Sequence, residues 1–297
     1  MNARHHSYFE STARERVARL FDAGTIREFL PPQETAPSPH LARLGLPGAL
    51  DDGVVAGAAS LDGRDVLFAA QEGQFMGGAV GEIHGAKIVG LLQRARASRP
   101  AAVVFMIDSG GVRLHEANAG LIAISEIMRG VLDARAAGVP VIALIGGLCG
   151  AFGGMGIVAK LCSHVIMSEE GRLALSGPDV IETVAGVEEF DAKDRALVWR
   201  VTGGKHRLLI GDCDTLVDDD IDAFRNAAAA AIARGVVPAP GHASLALQQR
   251  KLALRARRME GMRDGLDAWR ALGVPDADSI TMMTADEAMA VVSAMAS

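Results

Sequence analysis

The sequence predicts a layered α/β fold, a largely parallel sheet with helices packed against it. Three observations point there. Short apolar runs rich in β-branched residues recur at AAVVFMID (101–108), VPVIALIGG (139–147) and HVIMSEE (164–170). The first two are each followed by a pair of glycines and a helical stretch, the strand–turn–helix repeat that yields right-handed crossovers between parallel strands. Aromatic residues make up only 4% of the 297 residues while apolar residues make up 49%. The core is therefore ample but built on small side chains and close backbone approach, which favours layered α/β packing over a β-sandwich.

Each element follows from a local pattern. Residues 11–30 open with Ser11 and Thr12 as N-cap candidates and repeat apolar residues at Val17, Leu20 and Phe21 before Gly24, which predicts a short amphipathic helix. The stretch 31–48 holds five of the eleven prolines and reads as a linker wrapping a surface or an interface. VVAGAAS (54–60) and VLFAAQ (66–71) flank the turn signal LDGRD and read as a hairpin. QFMGGAVGEIHGAKIVGLLQRARAS runs from a glycine-rich turn into a helix with apolar positions Ile83, Ile88, Leu91 and Leu92. The buried strand 101–108 follows, then a helix over 117–137 ended by Gly138, the strand 139–147, a helix within LCGAFGGMGIVAKLC, and the strand 164–170. Helices are expected at 178–185, 192–202 and 221–234, and a Gly/Pro break at 236–242 precedes a C-terminal helical segment. The chain thus divides into an N-terminal helix and linker (1–50), a main α/β domain (51–235) and a C-terminal helical segment (236–297).

Composition excludes several function classes. A net charge of -6, spread along the chain without a basic domain or interleaved aromatics, argues against nucleic acid as a partner. Cys149, Cys162 and Cys213 form no CxxC or other metal-ligand spacing and leave an odd count for disulfides, so no metal is expected and a reducing cytoplasm fits best. The N-terminal stretch lacks the apolar segment of a secretory signal, and no uncharged apolar run reaches the ~18 residues needed to cross a bilayer, so no membrane association is expected. His5 and His6 read as solvated terminal residues rather than ligands.

The chemistry lies in the glycine turns. Open parallel sheets bind ligands at the carboxyl ends of their strands, where MIDSGGVRLHE and GAFGGMG both fall. A helix N-terminus presents unpaired N–H groups, and glycines let a substrate oxygen approach them. Gly110 and Gly111 precede one helix and Gly153 and Gly154 precede or open the next. Two such N–H groups converging on one point would form an oxyanion hole. Either pair alone equally suits a tight turn or close helix packing. No GxxxxGK[ST], GxGxxG or GxSxG is present, so phosphate-loop, dinucleotide and α/β-hydrolase chemistries lack their residues.

Taken in order, ARERVARLFDAGTIREF, LDDGVVAGAASLDGRDV, FMGGAVGEIHGAKI, DSGGVRLHE, GAFGGMG and SGPDVIET resemble the carboxyltransferase branch of the crotonase superfamily, over about residues 11–220. The resemblance implies a crotonase-like fold of repeated ββα units, followed here by the C-terminal helical segment. Within the branch, the chain is most similar to the β subunits of biotin-independent malonate decarboxylases. It has no four-cysteine zinc ribbon, has room for only one crotonase-like half, and carries VRLHE where acetyl-CoA carboxylase relatives typically have ARMQE. The resemblance makes Gly110, Gly111, Gly153 and Gly154 the backbone donors that hold a thioester enolate, and places Gly77, Gly78, Arg113, Gly177 and Pro178 at the substrate. It implies decarboxylation of a malonyl thioester carried on the CoA-derived prosthetic group of an acyl carrier protein. Its partners would be a crotonase-like γ subunit, that carrier protein and a transferase (α) subunit, with no cofactor bound by this chain. Alternatives are a biotin-dependent carboxyltransferase subunit and a non-catalytic scaffold.

Side-chain roles stay open at this level. His84, His115, Glu116 and water are candidates for protonating the enolate. Arg113 suits a substrate carboxylate or phosphate, or an ion pair with Glu116 at i,i+3. Gly177–Pro178 also suits helix initiation. Near the C-terminus, Leu252, Met259, Met262, Leu266 and Trp269 are spaced as one helical stripe, and Arg250, Lys251, Arg255, Arg257 and Arg258 form a basic cluster against the single acid Glu260. That cluster is either a solvated face or a docking surface for an acidic carrier protein or partner subunit.

Overall fold

The computed structural model describes residues 6–34, 37–235 and 237–295. His5, two positions of the proline-rich stretch and the first residue of the 236–242 break lie outside the described residues. Seven strands form one sheet: β1 (Arg27–Phe29), β2 (Val54–Leu61), β3 (Arg64–Gln71), β4 (Ala102–Ile107), β5 (Val141–Ile145), β6 (His164–Ser168) and β7 (Thr215–Val217). They lie side by side in sequence order; β1–β2 and β2–β3 pair antiparallel, and every pair from β3 to β7 is parallel. The β2–β3 hairpin closes at Asp62–Gly63, both at positive φ (52° and 71°), the backbone of a two-residue turn whose twist matches the strands. Asp22 accepts both turn N–H groups, at 3.3 and 2.9 Å.

Helices cover both faces because every residue of β4 and β5 is buried and the two sides alternate. Val103, Phe105, Ile107, Val141, Ala143 and Ile145 face one core, which α2 (Glu82–Ser98), α3 (Asn118–Ala136) and α4 (Gly153–Leu161) complete. Val104, Met106, Ile142 and Leu144 face the other, with α1 (Ala13–Leu20) and α8 (Ile221–Ala233). Fully burying one such aliphatic side chain is worth about 1.5–3 kcal/mol, so these strands hold the layers together. Helix α1 starts as its sequence predicts: Thr12 and Glu15 form a reciprocal capping box. The expected helices over 178–185 and 221–234 are α5 (Pro178–Ala185) and α8. The helix expected over 192–202 is α6 (Arg195–Thr202), and α7 (Gly204–Leu209) follows it at once. Among the described residues, no helix is long and apolar enough to cross a membrane.

Two expectations change. The C-terminal stripe is not one helical face: α9 (His242–Arg258) ends before Met259, Gly261 sits at φ 75°, and α10 (Gly265–Leu272) starts a new direction, with α11 (Ala285–Met295) after it. Trp269 is buried in a small core with Leu209, Val274, Ala277 and Ile280, while Leu252 is half exposed. The basic cluster is also divided, since Arg255 turns inward to Asp212 (3.2 Å) and the Ile210 carbonyl (2.9 Å), whereas Arg250, Lys251, Arg257 and Arg258 are exposed.

Candidate active site

Beyond the carboxyl ends of β3–β6 the chain forms a second, shorter layer. Ile107 and Ile145 end β4 and β5 in register. Past them, Ser109 bridges Ala151, and Ala151 bridges Leu173, all in parallel sense. The bonds run Ser109 N–H to Gly150 O (2.6 Å), Phe152 N–H to Ser109 O (2.9 Å), Ala151 N–H to Arg172 O (2.7 Å) and Ala174 N–H to Ala151 O (3.2 Å). On the other side Val80 N–H donates to Gly111 O, and Arg113 N–H to Val80 O, both at 2.9 Å. Each long strand is thus followed by a short extended piece before its helix, which is the ββα repeat.

This layer brings the two glycine pairs together. Gly111 sits at φ 130°, a conformation that L side chains rarely adopt, and its Cα faces Gly153 so closely that a Cβ on Gly153 would lie 3.3 Å from it. Not all four N–H groups point outward, however. Gly110 donates to Gly77 O (2.8 Å) and Gly153 to Leu175 O (2.9 Å), so these two are committed within the protein. Gly111 N–H also donates inside the protein, to Ser109 Oγ at 3.2 Å, a side-chain partner that can rotate away, unlike the carbonyls that hold Gly110 and Gly153. Gly154 is the second residue of α4, where an N–H has no carbonyl one turn back inside the helix. The helix-terminus expectation is met only by the second pair: α4 begins at Gly153, whereas Leu114–Glu116 form a 3-10 turn between Gly111 and the start of α3 at Asn118. Gly78 serves packing, since a Cβ there would lie 1.8 Å from Asp108 O, and Gly77 contributes its carbonyl to Gly110. Gly177 caps α5 and Pro178 is its first residue, two to three positions past the Leu175 carbonyl that holds Gly153.

Arg113 is not free to meet a substrate. Its side chain is fully buried; Nη1 reaches both oxygens of Asp52 (2.9 and 3.0 Å) and Oε1 of Glu116 (2.8 Å), and Nη2 donates to Ala79 O (3.2 Å). Of its two sequence-level roles, the internal ion pair is the one observed, with Asp52 as a second acid. These carboxylates also cap α2, whose N-cap residue, Gly81, has no side chain to do so. Glu116 accepts from Glu82 N–H (2.6 Å) and from Ser38 Oγ (2.6 Å), and Asp52 accepts from His84 N–H (2.9 Å). Burial drives the Asp52 carboxyl above its usual range against the pull of Arg113. For Glu116 burial pushes the same way, but bonds from Ser38, Glu82 N–H and Arg113 outweigh it and hold that carboxyl low.

The same environment settles His84. It is fully buried, and its ring nitrogens meet Asp52 O (3.0 Å) and Gln71 Nε2 (2.9 Å). Burial and the nearby Arg113 charge push it down to about 3, so it is neutral. His115 lies exposed on the 3-10 turn. Asp108, the residue after β4, accepts from Arg16 Nη1 (2.9 Å) and Cys149 N–H (2.6 Å), which pins α1 and the 146–150 loop to the strand end. Sequence reasoning missed Asp52, Asp108, Arg16 and Ser38. Asp108 stands inside the quoted motif, and an acid closing an apolar strand was the available signal.

The surface around this layer is apolar. Leu114 is 80% exposed, Leu175 67% and Val184 82%, with Leu121, Ile122 and Val180 exposed beside them in the first turns of α3 and α5. Such a concentration of uncovered aliphatic side chains marks an interaction surface.

Comparison with known proteins agrees with this geometry. A family described as carboxyl transferase domain matches residues 4–231. The malonyl-S-ACP:biotin-protein carboxyltransferase of Malonomonas rubra is 41% identical over 307 residues, covering 96% of this chain and 95% of that protein. Among solved structures, a Pseudomonas malonate decarboxylase hetero-tetramer in complex with malonate matches with a TM-score of 0.83 at 39% identity, over 90% of this chain and 98% of that one. A hetero-dimer of Pseudomonas malonate decarboxylase matches at 0.67 and 38% identity, over 83% of this chain and 96% of that one. The crotonase-like fold and the resemblance to malonate decarboxylase read from the motifs both stand, and the chain belongs to the carboxyl transferase domain family.

Proposed function

We propose that this chain is the subunit of a malonate decarboxylase that converts malonyl thioester to acetyl thioester, working in the cytoplasm with a crotonase-like γ subunit. The malonyl group arrives on the CoA-derived prosthetic group of an acyl carrier protein loaded by a transferase (α) subunit, and this chain carries no biotin. The observation that carries the reading is the meeting of the Gly111 and Gly153 turns at the carboxyl ends of β4 and β5. Loss of CO2 breaks a carbon–carbon bond and moves its electron pair onto the thioester, whose oxygen takes the charge. The Gly154 N–H, and the Gly111 N–H once it exchanges Ser109 Oγ for the substrate, meet that oxygen, each worth about 2.7–4 kcal/mol of barrier. Gly110 and Gly153, whose N–H groups hold the two turns, position these donors. With His84 neutral and Glu116 fully engaged, His115 or water supplies the proton to carbon. The exposed Leu114, Leu175 and Val184 surface takes the γ subunit.

A second reading is carboxyl transfer to biotin, favoured by the activity in the name of the Malonomonas rubra relative. Co-expressed with its partner and given malonyl thioester, the chain should release CO2 and form acetyl thioester at the same rate with and without a biotin carrier. Strict dependence on that carrier would select the second reading, and normal thioester binding with no CO2 release under either condition would reject both.

A further inference from the structure

At the rim opposite the glycine turns, an open groove of about 650 Å3 runs between β1, the β2–β3 hairpin and the C-terminal end of α2. Arg64 of β3 lines it, whereas Gln71, at the other end of β3, bonds His84 beside the catalytic layer. Seven steps at roughly 3.3 Å put the two ends about 23 Å apart, so the groove is separate from the candidate active site.

Its charge is opposite in sign to that of the chain as a whole. The chain has 36 acidic and 30 basic residues besides histidine, yet Arg27, Arg64, Arg94 and Arg99 line this groove against the single acid Asp65. Of the twenty described arginines elsewhere, eleven are in ion pairs; among the described residues, none of these four guanidinium groups is. Two are held in place without being neutralised: Arg94 and Arg27 lie 4.8 and 5.4 Å from the Phe29 ring centroid. A cation–π contact of this kind fixes the planar group and leaves its N–H edges free. Arg99 closes α2 with φ 48°, an uncommon conformation for a bulky residue, and reaches the same groove. Four like charges in one concavity repel one another, and an anion offsets that repulsion. Planar N–H forks match phosphate oxygens in pairs, which a lone surface lysine does not.

We propose that this groove binds a small ligand bearing at least two linked phosphate groups. The ligand bridges the hairpin side (Arg27, Arg64) and the helix side (Arg94, Arg99), so its binding also stabilises the folded chain through linkage. Free diphosphate and a nucleoside diphosphate share the chemistry, and titrating each separately distinguishes the sources.

Calorimetric titration of the chain with inorganic pyrophosphate tests this. The expected result is saturable binding at one site per chain, weakened at least tenfold between low salt and ~150 mM salt. Arg64→Gln with Arg99→Gln should weaken it at least a further tenfold, while Arg257→Gln with Arg258→Gln on α9 leaves it unchanged. All four side chains are exposed, so folding is not at stake. A nucleoside diphosphate binding more tightly than pyrophosphate identifies the organic ligand, and equal affinity the free anion. Absence of saturable pyrophosphate binding overturns the proposal, including the case in which an acidic protein surface occupies the groove. Equal loss in both double variants overturns it too.

Discussion

Two carboxylates, Asp52 and Glu116, share one guanidinium where no solvent reaches, and each also accepts an N–H from the first turn of α2. Arg113 therefore joins four pieces of chain: the residues before β2, the 77–81 turn, the 110–116 segment and, through Ser38 and Glu116, the proline-rich linker. Removing one partner of a buried pair leaves the other charge unmatched, at a cost of about 3–5 kcal/mol. Arg113→Met, which leaves both carboxylates without their cation, should lower the unfolding free energy in urea by about that amount, while Ser38→Ala, which deletes one hydroxyl bond to Glu116, should cost about 1 kcal/mol. A loss under about 1 kcal/mol for Arg113→Met would mean that the ion pairs are not what holds the segment. The pairing of Arg113 with Glu116 is visible in the sequence because the residues lie three apart. Asp52 is not, because its 61-residue separation from Arg113 closes only once the sheet is formed.

At the scale of elements, long apolar runs speak for themselves: β4, β5 and α2 sit within a few residues of where their patterns place them. The short edge strands β1 and β7, three residues each, carry too little pattern to be read, and exist because a neighbouring strand offers them hydrogen bonds. The C-terminal stripe misleads for a related reason, since periodicity continues across Gly261 although the helix does not. Helix α5 has the opposite property: its pattern and its Pro178 start are as predicted, yet only Pro178 is buried. Val180 and Val184, one turn apart, face outward with Leu175 just before them. An element that keeps its apolar side uncovered awaits another chain. Val184→Asp combined with Leu175→Asp should abolish co-purification of the partner subunit and leave the chain's own melting temperature within a few degrees, as native mass measurement and thermal unfolding can check. An intact complex would place the interface elsewhere.

The whole molecule carries its two candidate sites at opposite ends of the strands. At the carboxyl ends, register brings the Gly111 and Gly153 turns face to face; at the other rim, four arginines line a groove. The motif order along the chain made the first site legible, because each glycine pair follows a strand. It could not reveal which N–H groups remain available, since Gly77 O and Leu175 O, which occupy those of Gly110 and Gly153, come from other turns of the layer. The central claim is that the Gly111 N–H stabilises a thioester enolate. A Cβ on Gly111 meets nothing nearer than 3.8 Å, so Gly111→Ala leaves the packing intact, but φ 130° is strained for alanine and the N–H must turn away. The measurement is steady-state turnover of malonyl thioester by the Gly111→Ala complex. The account predicts kcat reduced by about 10²–10³ with KM within threefold of the parent; kcat within twofold of the parent, in a complex of unchanged mass, would contradict it.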